Sequence, residues 1–93
     1  MAFTRPDSLP YLFRKMRIIR NLSKRSFAQK MDVSQEYVKF IEKGIKPPSL
    51  KFCLACAVEF GINPQWVKNK WLKDTVERIK QNLEMKLGLI QTG

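Results

Sequence analysis

Five side chains able to cap a helix, Ser8, Ser23, Ser34, Ser49 and Asn63, punctuate this chain at intervals that leave room only for short helices between them. Each carries an oxygen that can accept from a backbone N–H in the first turn after it. Behind Ser8, the residues Leu9, Phe13, Met16 and Ile19 or Arg20 recur at i, i+4, i+7, and Pro10 is tolerated in a first turn, which predicts a helix over 9–21. Ser23 opens a second helix over 24–31 with Phe27, Ala28 and Met31 as its apolar stripe, and it stops at Asp32, a residue type that accepts left-handed backbone. Ser34 opens a third, with Val38 and Ile41 inward and Gly44 just past its end. After the stiff Lys46-Pro47-Pro48 loop, Ser49 opens a fourth over 50–60, with Leu50, Cys53, Leu54, Ala57 and Phe60 inward and Gly61 as its stop. Asn63-Pro64 starts the last. No segment alternates like a strand over a useful length, so the fold class expected is all-α.

Beyond Pro64 the pattern lengthens. Leu72, Val76, Ile79, Leu83 and Leu87 form a stripe among lysines and glutamates, with Gly88 as the expected stop. One helix over 64–87 would be roughly 36 Å long, more than so small a core can cover. A capping box of Asp74 with Glu77 would instead divide it in two. Both arrangements are open at this point. The organisation expected is a flexible lead over 1–8, a domain over 9–68 and an amphipathic helical tail over 69–93.

Composition narrows the function classes. A length of 93 residues supports one small domain, and 18 Lys+Arg against 8 Asp+Glu give a net charge of +10. The candidate partners are nucleic acid, an anionic membrane surface or an acidic protein. There is no His, which removes His-based acid–base catalysis, catalytic triads and most zinc or copper sites. Cys53 and Cys56 are the only cysteines, too few for a four-thiolate metal site, so neither a metal nor a cofactor is expected and the chain is read as no enzyme. No apolar run reaches the ~20 residues of a membrane span, and Met1–Pro10 lacks the apolar stretch of a signal peptide. The expected location is the reducing cytoplasm, in association with the nucleoid.

Two short helices joined by a tight turn, Ser23 to Lys43, carry the functional reading. Their spacing sets the second across the first and leaves its polar face available to the major groove of B-DNA. Gln35 and Glu36 stand in its first turn, where Gln can pair bidentately with adenine and Glu can accept from the cytosine amino group. Lys39 reaches guanine or a phosphate. Lys24, Arg25, Lys30, Lys43 and Lys46 surround the motif and suit phosphate neutralisation. The net charge is +6 over residues 1–33, +1 over 34–64 and +3 over 65–93, so the base-reading segment is nearly neutral between basic flanks.

These residues resemble a family. Leu22-Ser23, Phe27-Ala28, Val33-Ser34, Ile41-Glu42-Lys43-Gly44, Pro48-Ser49-Leu50, Phe60-Gly61-Ile62 and Trp66-Val67, in this order and spacing over about 9–68, look like the Cro/repressor-type (XRE-like) helix-turn-helix domain. The resemblance implies a five-helix, phage-repressor-like DNA-binding fold with a C-terminal helical extension. It also implies a regulator of phage or bacterial type that binds two-fold operators as a dimer. By the same resemblance, Arg17 pairs with Glu42 and lies near a phosphate, and Ser34, Gln35, Glu36 and Lys39 touch bases or the adjacent backbone. Lys24 stands where the family has Gln, and Asp32 where it has Gly. Phe40 occupies a position that faces DNA; it either meets a thymine methyl or packs elsewhere.

The expected function is therefore sequence-specific binding of double-stranded DNA by a repressor-like regulator. Gln35, Glu36, Lys39 and Phe40 would read bases, and Arg17, Lys24, Arg25, Ser34, Lys43 and Lys46 would contact phosphates. Cys53 and Cys56 are read as small core hydrophobes and Trp66 and Trp71 as packing residues. For the tail stripe of Leu72, Val76, Ile79, Leu83 and Leu87, folding back, dimerisation and membrane contact are open. Homodimerisation is favoured because an uncovered apolar seam on an isolated helix is marginal in water, while Asp74, Glu77 and Glu84 interrupt the cationic face a membrane would want. A second reading makes the chain an antitoxin-like module that holds another protein through this tail.

Overall fold

The structure, a computed structural model, describes residues 7–87, with side chains as far as Glu84. Five helices follow in order: α1 (Leu9–Ile19), α2 (Lys24–Met31), α3 (Gln35–Glu42), α4 (Leu50–Phe60) and α5 (Pro64–Leu87), with no strand among the described residues. The fold is all-α, as expected.

Every capping residue caps. Ser8 Oγ accepts from the Tyr11 N–H at 3.3 Å, Ser23 Oγ from Ser26 at 3.0 Å, Ser34 Oγ from Tyr37 at 3.0 Å and Ser49 Oγ from Phe52 at 3.1 Å. Asn63 Oδ1 takes the N–H groups of Gln65 at 2.8 Å and Trp66 at 3.4 Å. Such a cap is worth about 0.5–2 kcal/mol, a large sum for a domain of this size. The first four helices also close alike, through one residue in left-handed backbone and an N–H that reaches back five residues. Asn21 (φ 59), Asp32 (φ 57), Gly44 (φ 73) and Gly61 (φ 68) supply the turns. Leu22, Val33, Ile45 and Ile62 donate to Arg17, Ala28, Phe40 and Ala57 at 2.8–3.0 Å.

Asn21 ends α1 two residues before the helix expected over 9–21. The α1 stripe differs as well. Leu9 and Phe13 are buried as expected, but Ile19 is 65% exposed and the next inward place belongs to Arg17 at 8%. On α4, Phe52, Cys53, Cys56, Ala57 and Phe60 are buried, while Leu50 and Leu54 sit at the margin. The inward face therefore includes Phe52 and Cys56 in place of the expected Leu50 and Leu54.

Four phenylalanines from three helices make the centre. Phe27 stacks on Phe60 (centroids 5.6 Å, 11°), and Phe52 stands edge-on to both Phe13 and Phe27 at 6.1 Å. Ala28, Val38, Ile41 and Val67 close the core around them.

One continuous helix, α5, runs through the point where two were possible. The Asp74 carboxylate is taken by Lys70, one turn back, at 3.2 Å and caps no new helix. α4 packs along the first part of α5, with α1 also against it. Trp71 joins the packing around the core and donates from Nε1 to the Pro48 carbonyl at 2.8 Å, so the domain's packing continues beyond residue 68 without a break. Trp66, expected to pack, is instead 49% exposed. The stripe residues Leu72, Val76, Ile79 and Leu83 are 43–61% exposed; Leu87's side chain and Gly88 lie outside the described residues. No described helix is long and apolar enough to cross a membrane.

Both thiols are fully buried. Burial, with a smaller contribution from the Asp74 charge, pushes Cys53 from the ordinary 9.0 up to about 12, and burial raises Cys56 as well, reinforced by Cys53 and Glu59. The folded protein therefore holds neutral thiols where an unfolded chain would ionise. The stability this supplies is present in full below pH 9.0 and is lost as the pH rises from there toward about 12. Neither thiol should react with iodoacetamide at pH 8 in native buffer, and both should react in denaturant, as read by mass spectrometry. Alkylation at native rates matching a free thiol would contradict the burial.

Candidate nucleic-acid interface

α2 and α3 meet through the turn at Asp32–Val33, and α3 is held from behind by three different means. Val38 and Ile41, at 1% and 2% exposure, anchor it in the core. Tyr37 stands edge-on to Phe52 at 5.3 Å, and its hydroxyl accepts the Ser49 N–H at 3.0 Å, tying α3 to the start of α4. The third tie is ionic. Arg17 Nε and Nη2 donate to Glu42 Oε2 and Oε1 at 2.8 and 3.0 Å, and Arg17 Nη1 donates to the Leu22 carbonyl at 2.7 Å. Their side chains are only 9% and 6% exposed, so this is a buried, two-pronged pair joining α1 to the last turn of α3.

The front of α3 is open. Gln35, Glu36, Lys39 and Lys43 are exposed along one face, the i, i+1, i+4, i+8 positions of a helix. Ser34 is exposed at the head of that face; its oxygen is used as the cap, while its O–H remains a donor. Phe40 is partly buried at the edge of the face and is not one of the core residues. At the flanks Arg25 and Lys46 are exposed and Lys24 is partly so. Lys30 lies farther round, 3.3 Å from Glu59, whose carboxylate is also 3.8 Å from Arg20.

Of the residues expected at the interface, Gln35, Glu36, Lys39, Lys43, Ser34, Arg25 and Lys46 are exposed, Lys24 and Phe40 are partly so, and Lys30 is drawn toward Glu59. Arg17 is the exception: at 8% exposure and with its donors spent inside the protein, it is built as a tie, and a phosphate would find little of it to meet. Arg14, whose Nε lies 3.8 Å from Glu42 Oε1 and whose side chain is 52% exposed, is a cation that this corner presents outward. Arg14 went unnoticed in the sequence because its place depends on where Glu42 lies. Tyr37 also escaped notice; its ring and hydroxyl act on α4, and only the spacing Ser34–Tyr37 hinted at its inward turn.

A family model described as helix-turn-helix matches residues 13–67. No curated protein and no solved structure matches the chain.

Proposed function

Because the chain belongs to the Cro/repressor-type (XRE-like) helix-turn-helix family, a family of DNA-binding, transcription-regulator-type domains, we propose that it is a sequence-specific operator-binding regulator that acts as a repressor and catalyses nothing. The observation that carries the reading is the contrast across α3. Its back is fixed by a buried ion pair, an aromatic contact and two core residues, while its front offers Gln35, Glu36 and Lys39 to a groove. A rigid element with an open polar face is what direct readout needs, since a base-edge contact tolerates little misplacement. Lys24, Arg25, Lys43, Lys46 and the Ser34 hydroxyl then contact phosphates, with Arg14 in the role first given to Arg17. Phe40, at the edge of the reading face, meets a thymine methyl. Double-stranded DNA in the cytoplasm is the partner.

Gln35→Ala tests the base-reading role. It should cost about 1–3 kcal/mol on the cognate site and relax the preference at one base pair. Lys43→Gln should weaken all sequences alike and lower the salt dependence. Fluorescence anisotropy on the cognate duplex and on its single-base variants separates the two. If Gln35→Ala weakened every duplex uniformly, Gln35 would be no base reader.

The exposed seam Leu72, Val76, Ile79 and Leu83 supports homodimerisation through α5. Val76→Glu with Ile79→Glu alters only residues more than half exposed, so the domain should stay folded while sedimentation shifts from dimer to monomer. A wild-type chain that sediments as a monomer at micromolar concentration would assign the seam to an unrelated protein, the antitoxin-like reading.

A further inference from the structure

Between the start of α1, the loop after α3 and the middle of α5 lies a cavity of about 320 Å³, large enough for a small ligand. We propose that it is an effector site for a compact aromatic monocarboxylate. Its walls are apolar and held in place: Leu9 and Pro10 on one side, Pro47 and Pro48 on another, with the Trp71 indole fixed by its bond to the Pro48 carbonyl. The flat indole and the proline faces suit a planar apolar body. Thr75 also lines the cavity; its Oγ1 is buried below the accessible wall, without a hydrogen-bond partner among the described residues.

Charge selects the ligand's polar end. Lys46 and Arg78 border the cavity, and Arg78 makes no ion pair among the described residues, whereas the bordering Asp74 is already held by Lys70 at 3.2 Å. A carboxylate at Arg78 is therefore favoured over an amine. Asp7 and Glu77 border Arg78 in the adjoining hollow, so the site suits one negative charge better than two. The position gives occupancy a consequence. Ile45 and Lys46 in the cavity wall donate to the Phe40 carbonyl at 2.9 and 3.4 Å, closing the end of α3. A ligand against Ile45 biases the helix that meets DNA. That consequence rests on the DNA-binding reading; the site itself does not.

The test uses the full chain with Trp66→Phe, which leaves Trp71 as the sole indole and alters a half-exposed residue. Phenylacetate is titrated at constant ionic strength, beside its neutral amide and phenethylamine. The expected result is a saturable change in Trp71 emission with phenylacetate. The amide and the amine should bind about ten-fold more weakly or worse, a loss of about one charge-assisted contact. Arg78→Gln, which breaks no ion pair or side-chain hydrogen bond among the described residues, should weaken phenylacetate by a similar factor. No saturable response, an equal response to all three probes, or unchanged binding by Arg78→Gln would each overturn the proposal. Because the readout is ligand binding alone, its failure leaves the DNA-binding reading untouched.

Discussion

Glu42→Ala is expected to destabilise the domain by about 3–5 kcal/mol, the cost of leaving one member of a buried ion pair alone. The substitution strands Arg17 with Nε and Nη2 unbonded in a site only 9% exposed, keeping just the bond from Nη1 to the Leu22 carbonyl. It also removes the anion that faces Arg14 at 3.8 Å, so two guanidinium groups lose the carboxylate they share. For a domain whose total stability is on the order of 5–15 kcal/mol, this is a large fraction. Replacing both partners by apolar residues, Arg17→Met with Glu42→Leu, should be far milder, because no charge is then buried unpaired. Urea denaturation of the two variants separates the worth of the pair from the penalty of breaking it. A loss under 1 kcal/mol for Glu42→Ala would mean that the pair behaves as an exposed one. The pair joins α1 to the last turn of α3, and on the proposed reading it orients the helix that presents Gln35 and Lys39.

Phe52→Ala should cost a similar 3–5 kcal/mol. Phe52 is 4% exposed and stands edge-on to Phe13, Phe27 and Tyr37, so its removal opens a hole that three rings border. Those rings come from α1, α2 and α3, which leaves no single element able to collapse into the space. In a chain of this length each kcal/mol lowers the midpoint by about 4–8 °C, and thermal melting followed by circular dichroism reads it directly. Phe52→Leu should recover most of the loss by keeping most of the volume. An alanine variant within 1 kcal/mol of wild type would show that Tyr37 and α3 are held without this ring.

What could be read from the residues alone follows a physical division. The five caps were legible because each is a local event, one side-chain oxygen and an N–H two or three residues on. The open polar face of α3 was legible for a related reason: Val38 and Ile41 define its back at helical spacing, and Gln35, Glu36 and Lys39 then fall on the other side. The family resemblance implied the Arg17–Glu42 pair, which the structure contains; the burial of Arg17 was not legible, because it depends on Glu42, 25 residues away. The face of α4 was misjudged because apolar residues surround most of that helix, and only its neighbours decide that Phe52 and Cys56 go inward in place of Leu50 and Leu54. Asn21 stops α1 by adopting left-handed backbone, a conformation its residue type permits without demanding. Whether α5 breaks at Asp74 depended on a competition between a cap and the neighbouring Lys70, which spacing alone leaves undecided.

The charge distribution acquires a clearer meaning from the same geometry. Lysines and arginines stand around the open face of α3, and their share of binding should be salt-sensitive and indifferent to sequence. On the proposed reading, discrimination comes from Gln35, Glu36, Lys39 and Phe40. Glu36 is an asset only beside a cytosine or a compensating cation, since phosphates repel it elsewhere.

Selection of bound duplexes from a random DNA pool, run at a fixed salt concentration near 150 mM, tests the central claim most directly. The account predicts enrichment of a two-fold sequence whose half-site centres lie about one helical turn (~34 Å) or a multiple of it apart, with Gln35→Ala relaxing one position in each half. Recovery of a pool no different from the input, from protein shown to be folded, would contradict it.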